Sequence, residues 1–223
     1  MAKWTASEPF RLLGIGEEFK VPEDVPVKCS CGKVGGVIRS LSPGSSNHVR
    51  CACKGCQSYA HYLGRAHDML DSEGYSNIFQ INPADFEIHE GLEHLACVRI
   101  TPKGPLRWHA ACCKTPLGNT FPKGGVPFIG VLPICSGHKG ASDEVVKMIG
   151  PSRANVNGRN KASLGEKVKT LRMLPRFVCK LIAWRIKGGK SWKPFFKEDT
   201  MEPIREPILV TKEERKALYA KVV

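Results

Sequence analysis

Between Val27 and about Leu132 the apolar positions fall in short runs, several of them alternating with polar ones. Val34-Gly35-Gly36-Val37-Ile38, Phe86-Glu87-Ile88-His89, Ala96-Cys97-Val98-Arg99-Ile100 and Leu106-Arg107-Trp108-His109 are such runs. They suit strands, because successive side chains of an extended chain face opposite ways. Ser42-Pro43-Gly44, Asn82-Pro83 and Pro102-Lys103-Gly104-Pro105 separate them and predict turns. One short helix is expected over Ser58 to Leu63, ended by Gly64. No solenoid or propeller period recurs. The predicted body, residues 27–150, is mainly β. A polar lead-in, residues 1–26, precedes it and holds one apolar patch from Phe10 to Ile15.

The pattern changes after Gly150-Pro151. Residues 152–163 are polar and aperiodic, as a linker would be. Leu164, Val168, Leu171, Leu174, Val178 and Leu181 then recur at helical spacing. Lys167, Lys169, Arg172, Arg176 and Lys180 fill much of the remaining surface. Pro175 lacks a backbone donor and predicts a kink or a split there. With Phe177 and Trp184 assigned to the apolar side, the plainest reading docks that side on the chain's own domain. Lys190-Ser191-Trp192-Lys193-Pro194-Phe195-Phe196 is expected to pack its rings inward, since aromatic clusters are rarely left exposed. Thr211, with Glu214 three residues on, carries the capping-box signature of a final helix. Residues 151–223 thus read as a basic helical C-terminal extension.

Composition agrees with a folded chain: of 223 residues, 42% are apolar and 25% charged. No uncharged apolar run is long enough to predict a transmembrane helix. The start lacks an apolar block with a small-residue cleavage pattern, so cytoplasmic residence is the expectation. The net charge of +13 is uneven. Residues 1–150 hold 16 Lys and Arg against 14 Asp and Glu, and residues 151–223 hold 18 against 7. The basic character therefore belongs to the extension and is no signature of nucleic-acid binding by the whole chain.

Seven of the ten cysteines cluster: Cys29 and Cys31, then Cys51, Cys53 and Cys56, then Cys112 and Cys113. Disulfide frameworks space their cysteines more widely, and no export signal is evident, so metal ligation is the better reading. On an extended strand, residues i and i+2 share a face, so Cys29 and Cys31 can meet one ion, as can Cys51 and Cys53. Gly55, free to take a positive φ, is expected to curl Cys53-Lys54-Gly55-Cys56 into a knuckle. Soft thiolates select zinc or iron over magnesium or calcium, and an iron–sulfur cluster would use the same residues. One closed site of four leaves three thiols, the ligand count of a zinc with an exchangeable position. Two closed sites would need an eighth donor, for which Cys97, Cys135, His94 and His109 are the candidates. Cys97 and Cys179 are most simply buried small hydrophobes. Cys135 and His138 stand only three residues apart with no third group, which argues against a nucleophile–base pair.

Three segments together resemble the glutathione-dependent formaldehyde-activating enzyme family, whose domain is shared with centromere protein V. "CSCGKVGGVI" resembles its opening Cys-x-Cys-Gly-x-Val hairpin, "CACKGC" its Cys-x-Cys-x-x-Cys triplet, and "CCKTPLGN" its closing Cys-Gly-Thr-Pro-Leu segment. Order and separations agree over roughly residues 25–130. The resemblance implies a β-tent fold of small coiled sheets and two Zn²⁺ ions per chain. It implies a structural zinc on Cys29, Cys31, Cys113 and Cys112, and an open zinc on Cys51, Cys53 and Cys56. The implied activity is that of a carbon–sulfur lyase joining a small aldehyde, formaldehyde, to a small thiol such as glutathione, as S-hydroxymethylglutathione, or reversing that step. Lys54 is placed to attract a carboxylate of the thiol or to be simply solvated, and His61 and His67 to be structural or exposed.

The chain departs from the family pattern at two positions. Ala110 stands at the first Cys of Cys-x-x-Cys-Gly-Thr, and Lys114 replaces the Gly. Cys112 can take the vacated place only if the backbone turns there, since neighbours on a strand face opposite ways; His109 is the alternative. A second functional reading remains: a non-enzymatic zinc module whose basic helix, residues 164–187, binds a protein, a membrane surface or nucleic acid.

Overall fold

The computed structural model describes residues 23–137, 149–157, 164–188 and 193–223. The expectations for Phe10 to Ile15, His138, residues 158–163 and Trp192 lie outside them. The fold is mixed α/β rather than mainly β, with an eight-stranded sheet, a three-stranded sheet and four α-helices among the described residues.

The chain runs β1 (Glu23–Lys28), β2 (Gly35–Leu41), β3 (Asn47–Cys51), α1 (Lys54–Tyr62), α2 (Ala66–Met69), β4 (Ser76–Ile81), β5 (Phe86–Glu90), β6 (Leu95–Arg99), β7 (Leu106–Ala110), β8 (Pro116–Thr120) and β9 (Ile129–Val131). Then follow β10 (Ala154–Val156), α3 (Leu164–Gly188), β11 (Ile208–Leu209) and α4 (Lys212–Tyr219). The small sheet is ordered β1-β2-β5 and the large one β10-β3-β4-β9-β8-β7-β6-β11. All pairings are antiparallel except the two edges, where β10 runs parallel to β3 and β11 to β6.

Strand alternation builds two cores. Phe79, Ile81, Cys97, Trp108 and Val131 point from the large sheet towards Val27, Ile38 and Phe86 of the small one. On the opposite face Val49, Ile78 and Val98 pack against Tyr59 and Ala60 of α1, its C-cap Leu63, and Leu218 of α4. The large sheet is therefore covered on both sides, and every residue of β7 is buried. Polar residues on that strand have no route to water.

The C-terminal third is woven into this body. Residues 154–156, in the stretch that reads as a linker, form edge strand β10 instead, with Ala154 opposite Val49. Phe195 is buried and stacks on Trp108 with ring centroids 4.6 Å apart, so the aromatic segment does pack inward. The capping box of α4 is present: Thr211 Oγ1 accepts from Glu214 N at 3.2 Å, and Thr211 N donates to Glu214 Oε2 at 3.0 Å.

Helix α3 continues through Pro175 from Leu164 to Gly188. It turns a different face inward than its periodicity suggests. Trp184 is buried, Phe177 meets Phe128 edge to face at 5.7 Å, and Met173 packs on the core under α1. Leu164, Val168, Leu171, Leu174 and Val178 are exposed. The helix docks with its aromatics and with the stems of Arg176 and Lys180, whose heads reach the backbone oxygens of Pro43 and Gly44. Cys179 lies beside the exposed stripe and is exposed, not buried.

Candidate metal centres

The turn from β1 to β2 holds Cys29 and Cys31, one and three residues past the strand. Gly32 takes φ +79°, and Cys29 N donates to Val34 O while Gly32 N donates to Cys29 O. A tight turn, rather than strand alternation, sets the two Sγ atoms 3.6 Å apart. The turn from β7 to β8 supplies the other pair. Lys114 N donates to Ala110 O and Ala110 N to Thr115 O, which folds residues 111–114 into a loop. The backbone turns where the adjacent cysteines need it to.

Cys112 Sγ lies 3.2 Å from Cys31 Sγ, 3.9 Å from Cys29 Sγ and 3.8 Å from Cys113 Sγ. Four thiolates around one zinc at 2.3 Å would stand about 3.8 Å apart. The donor set and spacing thus fit a tetrahedral zinc ion. His109 belongs to neither cysteine cluster. It lies on the helix-covered face of β7 between the rings of Tyr59 and Tyr62, and burial pushes its pKa down to about 4.

The four thiols are not set alike: burial, then hydrogen bonds with Cys31, Cys113 and Cys29, push the Cys112 thiol up to about 12. Val34 N donates to Cys29 Sγ at 3.2 Å. Burial raises the Cys113 thiol, but hydrogen bonds with Ser30 and Thr115 outweigh it and bring the pKa down to about 5. Ser30 N also donates to Thr115 Oγ1 at 2.9 Å, and Arg65 donates to Ser30 Oγ and Cys113 O, tying the two turns together. Lys114, where the resembled pattern has Gly, is held at φ +55°. A lysine in that region is strained relative to glycine, so Lys114→Gly should stabilise the fold by about 0.5–1 kcal/mol in urea titration, with no change in metal content.

The second cluster forms where β3 enters α1. Cys51 ends the strand, and Cys53 is the N-cap of the helix, its Sγ accepting from Cys56 N at 3.3 Å. Helix α1 therefore begins at Lys54, four residues before the predicted start, and no knuckle forms. Gly55 has no positive φ; it lies in the first helical turn, where an added Cβ would stand 3.0 Å from Arg107 Nη2. Glycine makes room for a guanidinium. The three Sγ atoms lie within 4.8 Å of one another, and no fourth Cys, His, Asp or Glu among the described residues joins them.

Arg107 is the residue that sequence reasoning missed. It is only 3% exposed, on the helix-covered face of β7. Both Nη atoms reach Cys56 Sγ at 3.8 Å, Nη1 also donates to Asn119 Oδ1 at 3.1 Å, and the guanidinium lies 5.2 Å from the Tyr59 ring centroid. Burial alone would lower its pKa, but the charges of Cys56 and Cys53 overcome that and raise it. No carboxylate among the described residues pairs with it. Cys53 is held well below the usual thiol range by hydrogen bonds from Cys51 and Cys56, then by Cys56 N and the charge of Arg107. A buried cation without a carboxylate needs an anion close by, and the Cys53 thiolate supplies it, while the Cys51 and Cys56 thiols are pushed up. An Arg between Leu106 and Trp108 in a strand was the one signal available.

At the rim, Asn157, in the left-handed region at φ +57°, donates from Nδ2 to Cys51 Sγ at 3.8 Å. The same Asn157 lines a cleft of about 560 Å³ between β10 and α3, with Lys167, Leu171 and Met173 on its other wall. Lys54 is exposed, over the ring of Tyr219, and His67 is exposed. Cys97 and Cys135 are buried and belong to neither cluster, and His94 joins neither.

A family described as a family of unknown function, DUF6151, matches residues 21–198. The chain belongs to DUF6151. The match spans both cysteine clusters, Arg107, β10 and the whole of α3. No curated protein matches the chain. The chain thus carries two cysteine clusters, one of four thiols and one of three, each able to hold a metal ion such as zinc.

Proposed function

We propose that this protein is a two-zinc carbon–sulfur lyase, with a structural ion on Cys29, Cys31, Cys112 and Cys113 and an open one on Cys51, Cys53 and Cys56. The resemblance to the glutathione-dependent formaldehyde-activating enzymes and their β-tent fold supports this assignment of roles. The observation that carries it is the unequal count: four mutually close thiols in one cluster and three in the other, the latter without a fourth donor among the described residues.

When bound, zinc supplies a cation that keeps a guest thiol in its nucleophilic thiolate form near neutral pH. The chain's own residues do the rest. Cys53 is fixed by the start of α1, Cys51 by the end of β3, and Arg107 balances the negative charge of three thiolates from below. The cleft reaching Asn157 has room for the remainder of a tripeptide-sized thiol, and Lys167 on its wall offers a partner for a carboxylate. The overall reaction adds R–S–H across the carbonyl of formaldehyde. The sulfur bonds to carbon, the carbonyl π pair goes to oxygen, and the thiol proton ends on that oxygen. The reverse step breaks the same carbon–sulfur bond.

Metal analysis of the purified protein should return two zinc per chain. Glutathione and formaldehyde should then give S-hydroxymethylglutathione faster than the uncatalysed rate, and Cys53→Ser should abolish the excess rate while one zinc stays bound. A zinc-loaded protein with no excess rate over buffer would remove the lyase reading.

A further inference from the structure

We propose that the outward face of α3 is a docking surface for anionic lipid, on which the protein lies without crossing the bilayer. Leu164, Val168, Leu171, Pro175, Val178, Ile182 and Ile186 recur at spacings of three and four and form one continuous stripe. All seven are exposed, Leu164 at 79%, Leu171 at 72% and Ile186 at 78%. The stripe runs nearly the whole helix, about 33 Å at 1.5 Å per residue. Apolar surface of that extent on a folded chain marks an interaction site.

The helix cannot bury this stripe by rolling over. Its inner face is held by Trp184 and by Phe177 on Phe128, and Arg176 and Arg185 donate to Asn47 Oδ1 and Gly125 O. Among the described residues nothing covers the stripe.

Charge decides what that is. Between Leu164 and Gly188 there are seven Lys and Arg and one acid, Glu166, and of the seven Arg176 and Lys180 are turned to the body. At 100° per residue, Lys167 and Arg185 border the stripe on one side and Arg172 on the other. A second copy of the chain would bring these like charges together along the seam. Nucleic acid would meet the cations and leave the apolar residues in water. An anionic bilayer satisfies both, taking the aliphatic residues at the acyl boundary and the basic ones at the headgroups. No helix of the described residues is long and apolar enough to cross a membrane, consistent with a helix that lies in the interface plane.

The test uses the zinc-loaded full chain in sedimentation with two vesicle types. One is phosphatidylcholine alone, and the other is an equimolar mixture with phosphatidylglycerol. The protein should pellet with the mixed vesicles and stay in the supernatant with phosphatidylcholine. Val178→Glu with Ile182→Glu should weaken partitioning by at least about tenfold, since two apolar side chains no longer enter the acyl region. Both side chains are exposed, so unchanged zinc content and circular dichroism will show that the variant is folded. Absence of binding to the mixed vesicles overturns the proposal. So does equal binding by the double variant, which would reduce the interaction to charge, and so does a solution dimer that the double variant dissolves.

Discussion

Cys31→Ser should lower the melting temperature by at least about 10 °C and bring bound zinc from two per chain to one. The size of this effect is informative because Cys31 is exposed. An exposed thiol replaced by a hydroxyl normally changes stability by no more than about 0.5 kcal/mol. If Cys31 closes a four-thiolate zinc site, the same substitution forfeits several of the roughly 10–16 kcal/mol that such a site contributes to folding. At about 2–4 °C per kcal/mol for a chain of this size, the two cases are easily separated by calorimetry. The position of the site explains why the loss should be global. Cys29 and Cys31 come from the turn of the small sheet, Cys112 and Cys113 from a turn of the large one, and the cross-links span 81 to 83 residues of sequence. An ion there clamps the two sheets across the edge of their shared core. A melting temperature unchanged by both Cys31→Ser and chelation would mean that this cluster holds no metal.

The ease of reading each site from sequence follows from how local its geometry is. Short spacings alone group the seven cysteines as two, three and two; the joining of Cys29 and Cys31 with Cys112 and Cys113, across 81 to 83 residues, is implied by the family resemblance and not by spacing. The reason behind the spacing was less visible. Alternation along a strand predicts that Cys29 and Cys31 share a face, yet the strand ends at Lys28 and a turn with Gly32 in the left-handed region brings them together. Gly55 likewise invites a knuckle and instead leaves space inside a helical turn for Arg107. A glycine's two uses, unusual dihedrals and close approach, are not separable without the neighbour that approaches.

The tail shows the complementary limit. Periodicity located α3, the capping box located the start of α4, and the clustered rings of Phe195 and Phe196 signalled an inward anchor. None of these tells which helical face docks. A stripe of Leu, Val and Ile is ordinarily the buried one, but here Trp184, Phe177 and Met173 take that role on the other side. The two parallel edge strands, β10 and β11, are three and two residues long and pair with segments over 100 residues away. No short-range pattern announces such pairing. It needs the open edges of β3 and β6 to be in view.

Arg107→Met should empty the three-cysteine centre while leaving the other zinc in place, and the sign of its effect on stability distinguishes two states of the molecule. Three thiolates and a divalent cation sum to one negative charge, which a buried guanidinium neutralises. Removing one partner of such a buried pair costs about 3–5 kcal/mol. In the zinc-loaded protein the loss should appear as a fall in metal affinity at Cys51, Cys53 and Cys56 of at least about a hundredfold, read by competition with a chromophoric chelator. If those thiols instead stay protonated and hold nothing, Arg107 is a buried cation with no anion beside it. Methionine fills similar volume without the cost of desolvating a charge, so the variant would then be more stable than the parent in urea. Pairing Arg107→Met with Cys56→Ser adds an internal control. The two changes should be strongly non-additive if guanidinium and thiolate balance one another, because the second removes an anion whose partner is already gone. Additive losses would mean that Arg107 acts through Asn119 and Tyr59 alone, and that the electrostatic pairing with the cysteine triplet is not what keeps it buried.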